Sequence, residues 1–440
     1  MANANKKMLS RVVASSLIGS TIEWYDFFLY GVVAGIVFNQ LYFPSGDPFI
    51  STMLAFGTFA AGFVVRPLGG VIFGHFGDKI GRKSMLVISL TIMGISTALV
   101  AFLPTYEQIG VFAPILLLVL RMIQGLALGG EWGGAVLMTF EHAPKEKRGL
   151  YASFPQIGLA IGLLLSSGIV GLLSILLSDG QFLQWGWRIA FGISALLVFL
   201  GLWIRMNVDE SPEFKELKSN ENTEIPIKEM WRGNVGNIIA GMGARYVEGV
   251  FFNIMGVFSI TYLTQSMDIS RNVALLGVSA GAFVMCFFIP IFGYISDRVG
   301  RTKTYWYGSL ITGFSALPAF WFMSNSGGST LVIWLSIIIP FGIFYAAVYG
   351  PEAALFAELF EPKVRYTGIS FVYQFSGIFA SGITPMIATY LLSLSGDNYP
   401  IYLVSYVIFT GIVSAFSVRW IASNKAAAKP KKKPSLARQN

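Results

Sequence analysis

The chain is nearly without the residues that bind metals or close disulfides: it has 1 cysteine and 2 histidines in 440 residues. Cys286 lies inside an apolar run, so no internal disulfide can form. His75 and His142 sit in polar turns without cysteine neighbours, a pattern that argues against a zinc site. Charge is scarce too. Charged residues are 12% of the chain, about half the fraction in an ordinary soluble domain. No phosphate-cradling glycine loop is present, which argues against ATP-driven pumping. Nor is there a metal-ligand cluster, a nucleophile motif or an extramembrane domain to suggest an enzyme or a receptor. The polar start, MANANKK, leads directly into a long apolar span rather than a short one with a cleavage site.

What is abundant is apolar length. Hydrophobic residues are 54% of the chain, and mean hydropathy is +0.64. Runs longer than about 18 residues recur throughout, each able to cross the hydrocarbon layer as a helix. The pattern predicts an all-α membrane protein with spans at 11–38, 49–73, 84–103, 111–140, 149–177, 188–206, 235–265, 271–295, 304–323, 330–359, 366–393 and 400–421. Apart from Arg66, Arg121, Arg188, Arg245 and Arg271, the lysines and arginines fall in the amino terminus, alternate turns, the span ends facing them, the middle segment and the tail. The positive-inside rule then places both termini in the cytoplasm. A net charge of +8 needs no nucleic-acid partner, and the basic tail is expected to lie near anionic lipid headgroups.

The sequence is written twice. GHFGDKIGRK (74–83) returns as GYISDRVGRT (293–302), so that Gly74, Asp78, Gly81 and Arg82 map onto Gly293, Asp297, Gly300 and Arg301 at one constant offset of about half the chain. Glu141 with Arg148 returns in the same way as Glu358 with Arg365. The division expected is an amino-terminal six-helix bundle (1–206), a charged cytoplasmic linker (207–234), a carboxyl-terminal six-helix bundle (235–421) and a basic tail (422–440). Two bundles related by a pseudo-two-fold axis leave a path between them.

These paired motifs, G-x-x-x-D-[RK]-x-G-R and E-x6-R, resemble those of the major facilitator superfamily, in particular its sugar-porter-like branch. Within that branch GSTIEWYDFFLYG (19–31), RPLGGVIFGHFGDKIGRK (66–83), RMIQGLALGGEWGGA (121–135), WGWR (185–188) and DESPEF (209–214) resemble the metabolite:proton symporters. The resemblance covers essentially the whole chain. It departs in lacking the long coiled-coil tail of some osmosensing members, and in reading SFPQIGLAIG (153–162) where drug:proton antiporters carry a G-P-x-x-G-G pattern. It implies the major facilitator fold and proton-coupled import of a small organic metabolite, in a bacterial inner membrane and as a monomer, with the proton as coupling ion and no other cofactor. A shikimate-like organic acid is the first expectation. A betaine- or proline-like zwitterion is the alternative, and a proton-coupled exporter of the same fold is a further one.

An ionisable side chain at mid-membrane costs about 2.5–3.5 kcal/mol on insertion scales, so each one retained asks for a partner or a wet cavity. Glu23, Asp26 and Tyr30 stand at i, i+3 and i+7 of the first span, one polar stripe on an apolar helix. The resemblance makes Asp26 and Arg121 the proton-coupling pair, with Glu23 as the rival acid. Arg66 and Arg245 add two buried cations, and Glu248, at i+3, can hold Arg245 while substrate is absent. Guanidinium forks suit a carboxylate. If the repeat runs without gaps, Arg245 is the image of Asp26 and both point at a central cavity. Glu131, Trp132, Gln156, Tyr373 and Gln374 are weaker ligand candidates, for each of which helix packing is the competing explanation; Glu352, beside Pro351, is assigned to neither group. The repeated turn motifs (Gly74, Asp78, Gly81, Arg82, Glu141, Arg148, Asp297, Arg301, Glu358 and Arg365) read as gate residues: a carboxylate there can accept backbone N–H bonds at a helix N-terminus and pair with arginine.

Overall fold

The structure is a computed structural model that describes residues 2–80, 82–206, 226–361, 364–395 and 399–427. Twelve long helical segments run through them: α1 Met8–Leu41, α2 Phe49–Phe73, α3 Lys83–Val100, α4 Phe112–His142, α5 Lys145–Leu176, α6 Asp179–Ile204, α7 Asn234–Ser266, α8 Arg271–Val299, α9 Arg301–Ser324, α10 Thr330–Ala357, α11 Arg365–Ser395 and α12 Ile401–Asn424. All except α9 contain an 18-residue stretch apolar enough to cross a membrane by composition. The exception has a simple cause: Thr304, Ser309, Thr312 and Ser315 of α9 are buried against neighbouring helices, chiefly α10 and α12, while Ile311, Phe314, Leu317 and Trp321 face outward.

Two boundaries differ from the expected division. The helix that becomes α7 starts at Pro226, inside the expected linker. Proline suits the first helical position, where its missing N–H costs nothing, and the next turn is anchored by Met230, which is fully buried. The last helix runs on to Ala427, because the alanines that follow Lys425 continue it. Residues 207–225, which include DESPEF, and 428–440 lie outside the described residues, as does Gly81.

The repeat visible in the sequence extends to backbone irregularity. α1 carries a widened π-type turn at Ala34–Phe38, and α7 carries one at Ile254–Phe258, the corresponding place in the other half. Such turns insert one residue into the helical ladder and redirect the segment beyond it. α4 is interrupted at Gly129–Gly130 and α7 at Arg245. Backbone groups freed inside a membrane must find partners in neighbouring helices, and at the α4 break they find them across the half boundary.

The halves meet mainly along α5 against α8 and α2 against α11. At one end the α5–α8 approach depends on missing side chains: a Cβ on Gly149 would lie 2.6 Å from the Gly293 carbonyl oxygen. Beyond the middle Phe28 of α1 stacks on Phe252 of α7 with ring centroids 4.9 Å apart, and nearer the other end a Cβ on Gly35 of α1 would lie 3.4 Å from Thr261 Oγ1 of α7. The bundles are therefore in contact at both ends, an occluded arrangement.

Candidate functional site

Between the halves lies a small cavity lined by Ser20, Glu23, Trp24, Arg66, Leu128, Trp132, Tyr373 and Gln374. Its free volume, about 10 Å³, is room for about one water molecule. A metabolite therefore enters only after helices part, and most of the surrounding side chains are engaged with each other.

The amino-terminal half contributes two cations. Arg121 of α4 is fully buried, its guanidinium carbon 4.2 Å from the Phe27 ring centroid, 4.3 Å from Tyr30 and 4.9 Å from Phe59. Tyr30 itself donates to Thr58 at 2.8 Å. Glycine makes this placement possible: a Cβ on Gly62 would sit 2.8 Å from Arg121 Nε, and one on Gly125 would sit 2.0 Å from the Gly62 carbonyl oxygen. Arg66 of α2 is likewise wrapped by rings, 4.2 Å from Phe27 and 4.3 Å from Phe63. In both arginines Nε and Nη2 have no hydrogen-bond partner.

Asp26 departs from the expected arrangement. It is fully buried and accepts a hydrogen bond from Ser194 of α6, while its second oxygen has no hydrogen-bond partner. No direct ion pair joins Asp26 to Arg121 among the described residues. Instead Arg121 donates to Gln124 at 3.2 Å, and Gln124 donates to Thr97 of α3 at 3.0 Å, with Thr97 beside Asp26. Two neutral side chains thus stand where direct contact was expected, and the Thr97 hydroxyl itself donates to the Met93 carbonyl at 2.9 Å. The polar stripe of α1 is also divided: Glu23 faces the cavity, Asp26 faces α6 and α3, and Tyr30 faces α2 and Arg121. Asp26 and Arg245 consequently do not share one cavity as the repeat image suggested. Glu131 is buried in the same half and accepts from Ser89 at 3.0 Å.

In the carboxyl-terminal half Arg245 is heavily engaged. Its Nε lies 3.2 Å from Glu248 Oε2 and 3.8 Å from Glu352 Oε1. Its Nη1 donates to the Tyr373 carbonyl at 2.9 Å and to Ser376 at 3.2 Å, and its guanidinium carbon lies 3.6 Å from the Tyr373 ring centroid. Tyr345 donates to Glu248 at 2.7 Å. The interruption of α7 at Arg245 lets the side chain lie back across α11 while Glu248, one turn on, stays beside it.

The weaker ligand candidates join the halves. Trp132 stacks on Tyr373 with centroids 3.8 Å apart and planes 11° apart, and its indole N–H donates to Gln156 at 2.8 Å. Gln156 donates in turn to the Tyr349 carbonyl at 3.3 Å. Gln374 and Tyr366 of α11 donate to the Gly129 and Gly130 carbonyls at 2.9 and 2.6 Å, closing the α4 break.

Of the residues expected at a gate, Asp297 has the fullest set of partners. It accepts from the backbone N–H groups of Gly149 and Leu150, at 2.8 and 2.9 Å, at the start of the long helical run of α5 in the other half. Arg301 pairs with Asp297 at 2.9 Å and also with Glu358. Arg148 and Arg365 both approach the Phe140 ring, at 4.4 and 5.6 Å. Glu141, at the end of α4, lies one residue from that ring. Gly74 and Asp78 continue the α2 helix, which ends at Ile80, and Arg82 begins the next; the side chains of Asp78 and Arg82 are outside the described set.

Two six-helix bundles around a central cleft rich in buried ions define a membrane transporter of the alternating-access class. The chain belongs to the Major Facilitator Superfamily, whose profile matches residues 16–339 and 235–439. It is 40% identical over 412 residues to the "Shikimate transporter" of Escherichia coli (strain K12), covering 92% of this chain and 93% of that one. It is 32% identical over 426 residues to the "Glycine betaine/proline/ectoine/pipecolic acid transporter OusA" of Dickeya dadantii (strain 3937), covering 94% and 84%. Its fold matches the E. coli proton:xylose symporter XylE bound to 6-bromo-6-deoxy-D-glucose with a TM-score of 0.75 at 16% identity, over 95% of this chain and 96% of that one. The protein is a multi-pass membrane transporter of small molecules, not an enzyme.

Proposed function

We propose that the chain imports a small organic carboxylate, shikimate or a chemically similar acid, together with a proton. The observation that carries this reading is the set of three buried arginines around one interface. Arg245 lies in ion-pair contact with Glu248, a carboxylate that a substrate carboxylate would replace, and Arg66, on the cavity wall, has unsatisfied nitrogens. A guanidinium kept at membrane depth without full partnership is expensive, and a bound anion would offset that cost. Similarity to a shikimate transporter supports the substrate class. Asp26 is assigned the transported proton, Arg121 acts on it through Gln124 and Thr97, and Glu23 is the rival acid. Asp297, Arg301 and Glu358, with their first-half images, are assigned to the cytoplasmic gate, in a bacterial inner membrane with both termini inside.

A second reading has its own support. Trp24, Trp132 and Tyr373 line the cavity, and parting of the Trp132–Tyr373 stack would expose aromatic faces of the kind a quaternary ammonium favours. With Arg245 on the carboxylate, the same site would then take a betaine-like zwitterion, as the similarity to OusA allows. Uptake of radiolabelled shikimate and of glycine betaine into proteoliposomes, with and without an inward proton gradient, separates the two. Gradient-driven shikimate accumulation without betaine accumulation is expected. Accumulation of betaine alone, or of uncharged or cationic solutes alone, contradicts the carboxylate reading.

A further inference from the structure

Glu352 of α10 has no part so far in gripping substrate or in coupling, yet it stands beside the principal cation of the site. It is fully buried, its Oε1 is 3.8 Å from Arg245 Nε, and neither of its oxygens has a hydrogen-bond partner. Glu248 stands closer to the same nitrogen, at 3.2 Å, and accepts from Tyr345. The other groups facing this pocket are Tyr305 of α9, which donates to the Ala244 carbonyl, Tyr349 of α10, Tyr373 of α11, and Arg66 across the interface. Among the described residues Arg245 is the cation in ion-pair contact with both carboxyls, while Arg66 acts on Glu248 from across the interface. A second ionised carboxylate, dry and without a donor on either oxygen, is the arrangement that low-dielectric surroundings penalise most. Two carboxyls sharing such a place settle by one of them keeping a proton. Glu248, with the shorter ion pair and the tyrosine donor, is the one held ionised.

We propose that Glu352 carries a proton in the occluded state and forms a second proton station, separate from Asp26 and adjacent to the cation that receives substrate. The proton comes from water at the open side and returns there, and no bond other than O–H is made or broken. Its role in transport rests on the carboxylate reading of Arg245, whereas its presence on Glu352 does not. A substrate carboxylate that takes Arg245 displaces Glu248, and a neutral Glu352 keeps the pocket from holding three anions around one guanidinium. Alkaline medium strips the proton, adds an anion beside Arg245 and weakens carboxylate binding.

The experiment uses the full-length purified protein and the variant Glu352→Gln, which reproduces the shape of the protonated side chain and so should fold. Infrared difference spectra between acidic and alkaline buffer should show the carbonyl stretch of a buried carboxylic acid in the wild type and its loss in Glu352→Gln. An unchanged band in Glu352→Gln overturns the assignment, whatever the substrate is. Shikimate binding across the same pH range tests the linkage. Wild-type affinity should fall about tenfold per unit on the alkaline side, the slope of one linked proton, and this dependence should flatten in Glu352→Gln and not in Glu107→Gln, a change at an exposed position. A wild-type slope in Glu352→Gln overturns the linkage. Absence of carboxylate binding to both proteins at every pH overturns the substrate reading while the infrared band still decides the proton.

Discussion

In the amino-terminal half, Arg66 and Arg121 lie between aromatic rings with Nε and Nη2 unsatisfied; in the carboxyl-terminal half, Arg245 stands between the Glu248 and Glu352 carboxyl groups and donates from Nη1 to a carbonyl and a hydroxyl, with Nε lacking a hydrogen bond. The scaffolds are copies, down to matching π-type turns in α1 and α7. The chemistry hung on them is not. A ring face stabilises a guanidinium by about 0.5–2 kcal/mol, more where it is desolvated, and leaves its N–H groups available. A carboxylate partner balances the charge at close range, as Glu248 does 3.2 Å from Arg245 Nε, and must be displaced by whatever binds next. The duplication thus preserved helix paths and the repeated turn motifs while the two centres diverged, one keeping buried cations among aromatic rings and the other setting its cation beside carboxyl groups.

The comparison can be broken most forcefully at Asp26. Asp26→Asn should abolish concentrative uptake, reducing it to the passive level, while substrate exchange across proteoliposome membranes stays measurable. Concentrative uptake that survives this change moves the proton to Glu23. Next in size is Arg245→Lys, which keeps the charge and loses the fork. Losing one charge-assisted hydrogen bond weakens binding about ten- to a hundredfold, readable by calorimetric titration with shikimate. A wild-type affinity would mean that Arg245 does not grip the ligand.

Stability tests the aromatic side of the comparison. Gly125→Val forces a side chain into the Gly62 carbonyl beneath Arg121 and should cost about 1–3 kcal/mol. Gly192→Ala, with open space around it, should be neutral or gain about 0.5–1 kcal/mol. Thermal unfolding in detergent distinguishes them. The smallest effect is expected at the gate: Asp297→Asn weakens two backbone contacts to α5, about 1 kcal/mol, and so shifts the conformational populations about fivefold. Spin-label distances across the cytoplasmic face should lengthen toward the inward-open state. Asp78→Asn is expected to act in the same direction.

The repeat, the twelve spans and the identities of the buried ions were legible because insertion energy writes them into composition: a lone arginine in an apolar run is conspicuous without coordinates. Glu248 beside Arg245 follows from i, i+3 spacing alone. The partners of Asp26 were not legible. Ser194 is a common residue on a helix far along the chain, and Thr97 and Gln124 carry no charge to mark them, so only tertiary packing brings them to Asp26. The α4 break is another such case. GLALGGEWGG reads as a helix with small residues for close packing, and nothing local says that Gln374 and Tyr366 will satisfy its freed carbonyls from the opposite half. Sequence marks what is costly; it is silent on which neutral neighbour offsets the cost.

The central claim is that coupling resides in the amino-terminal half and substrate grip in the carboxyl-terminal half. It is tested most directly by measuring shikimate counterflow and proton-driven accumulation side by side in proteoliposomes containing wild type, Asp26→Asn or Arg245→Lys. The account predicts that Asp26→Asn keeps counterflow and loses accumulation, while Arg245→Lys at subsaturating substrate loses both together. The same pattern in both variants, or counterflow lost in Asp26→Asn and retained in Arg245→Lys, would contradict it.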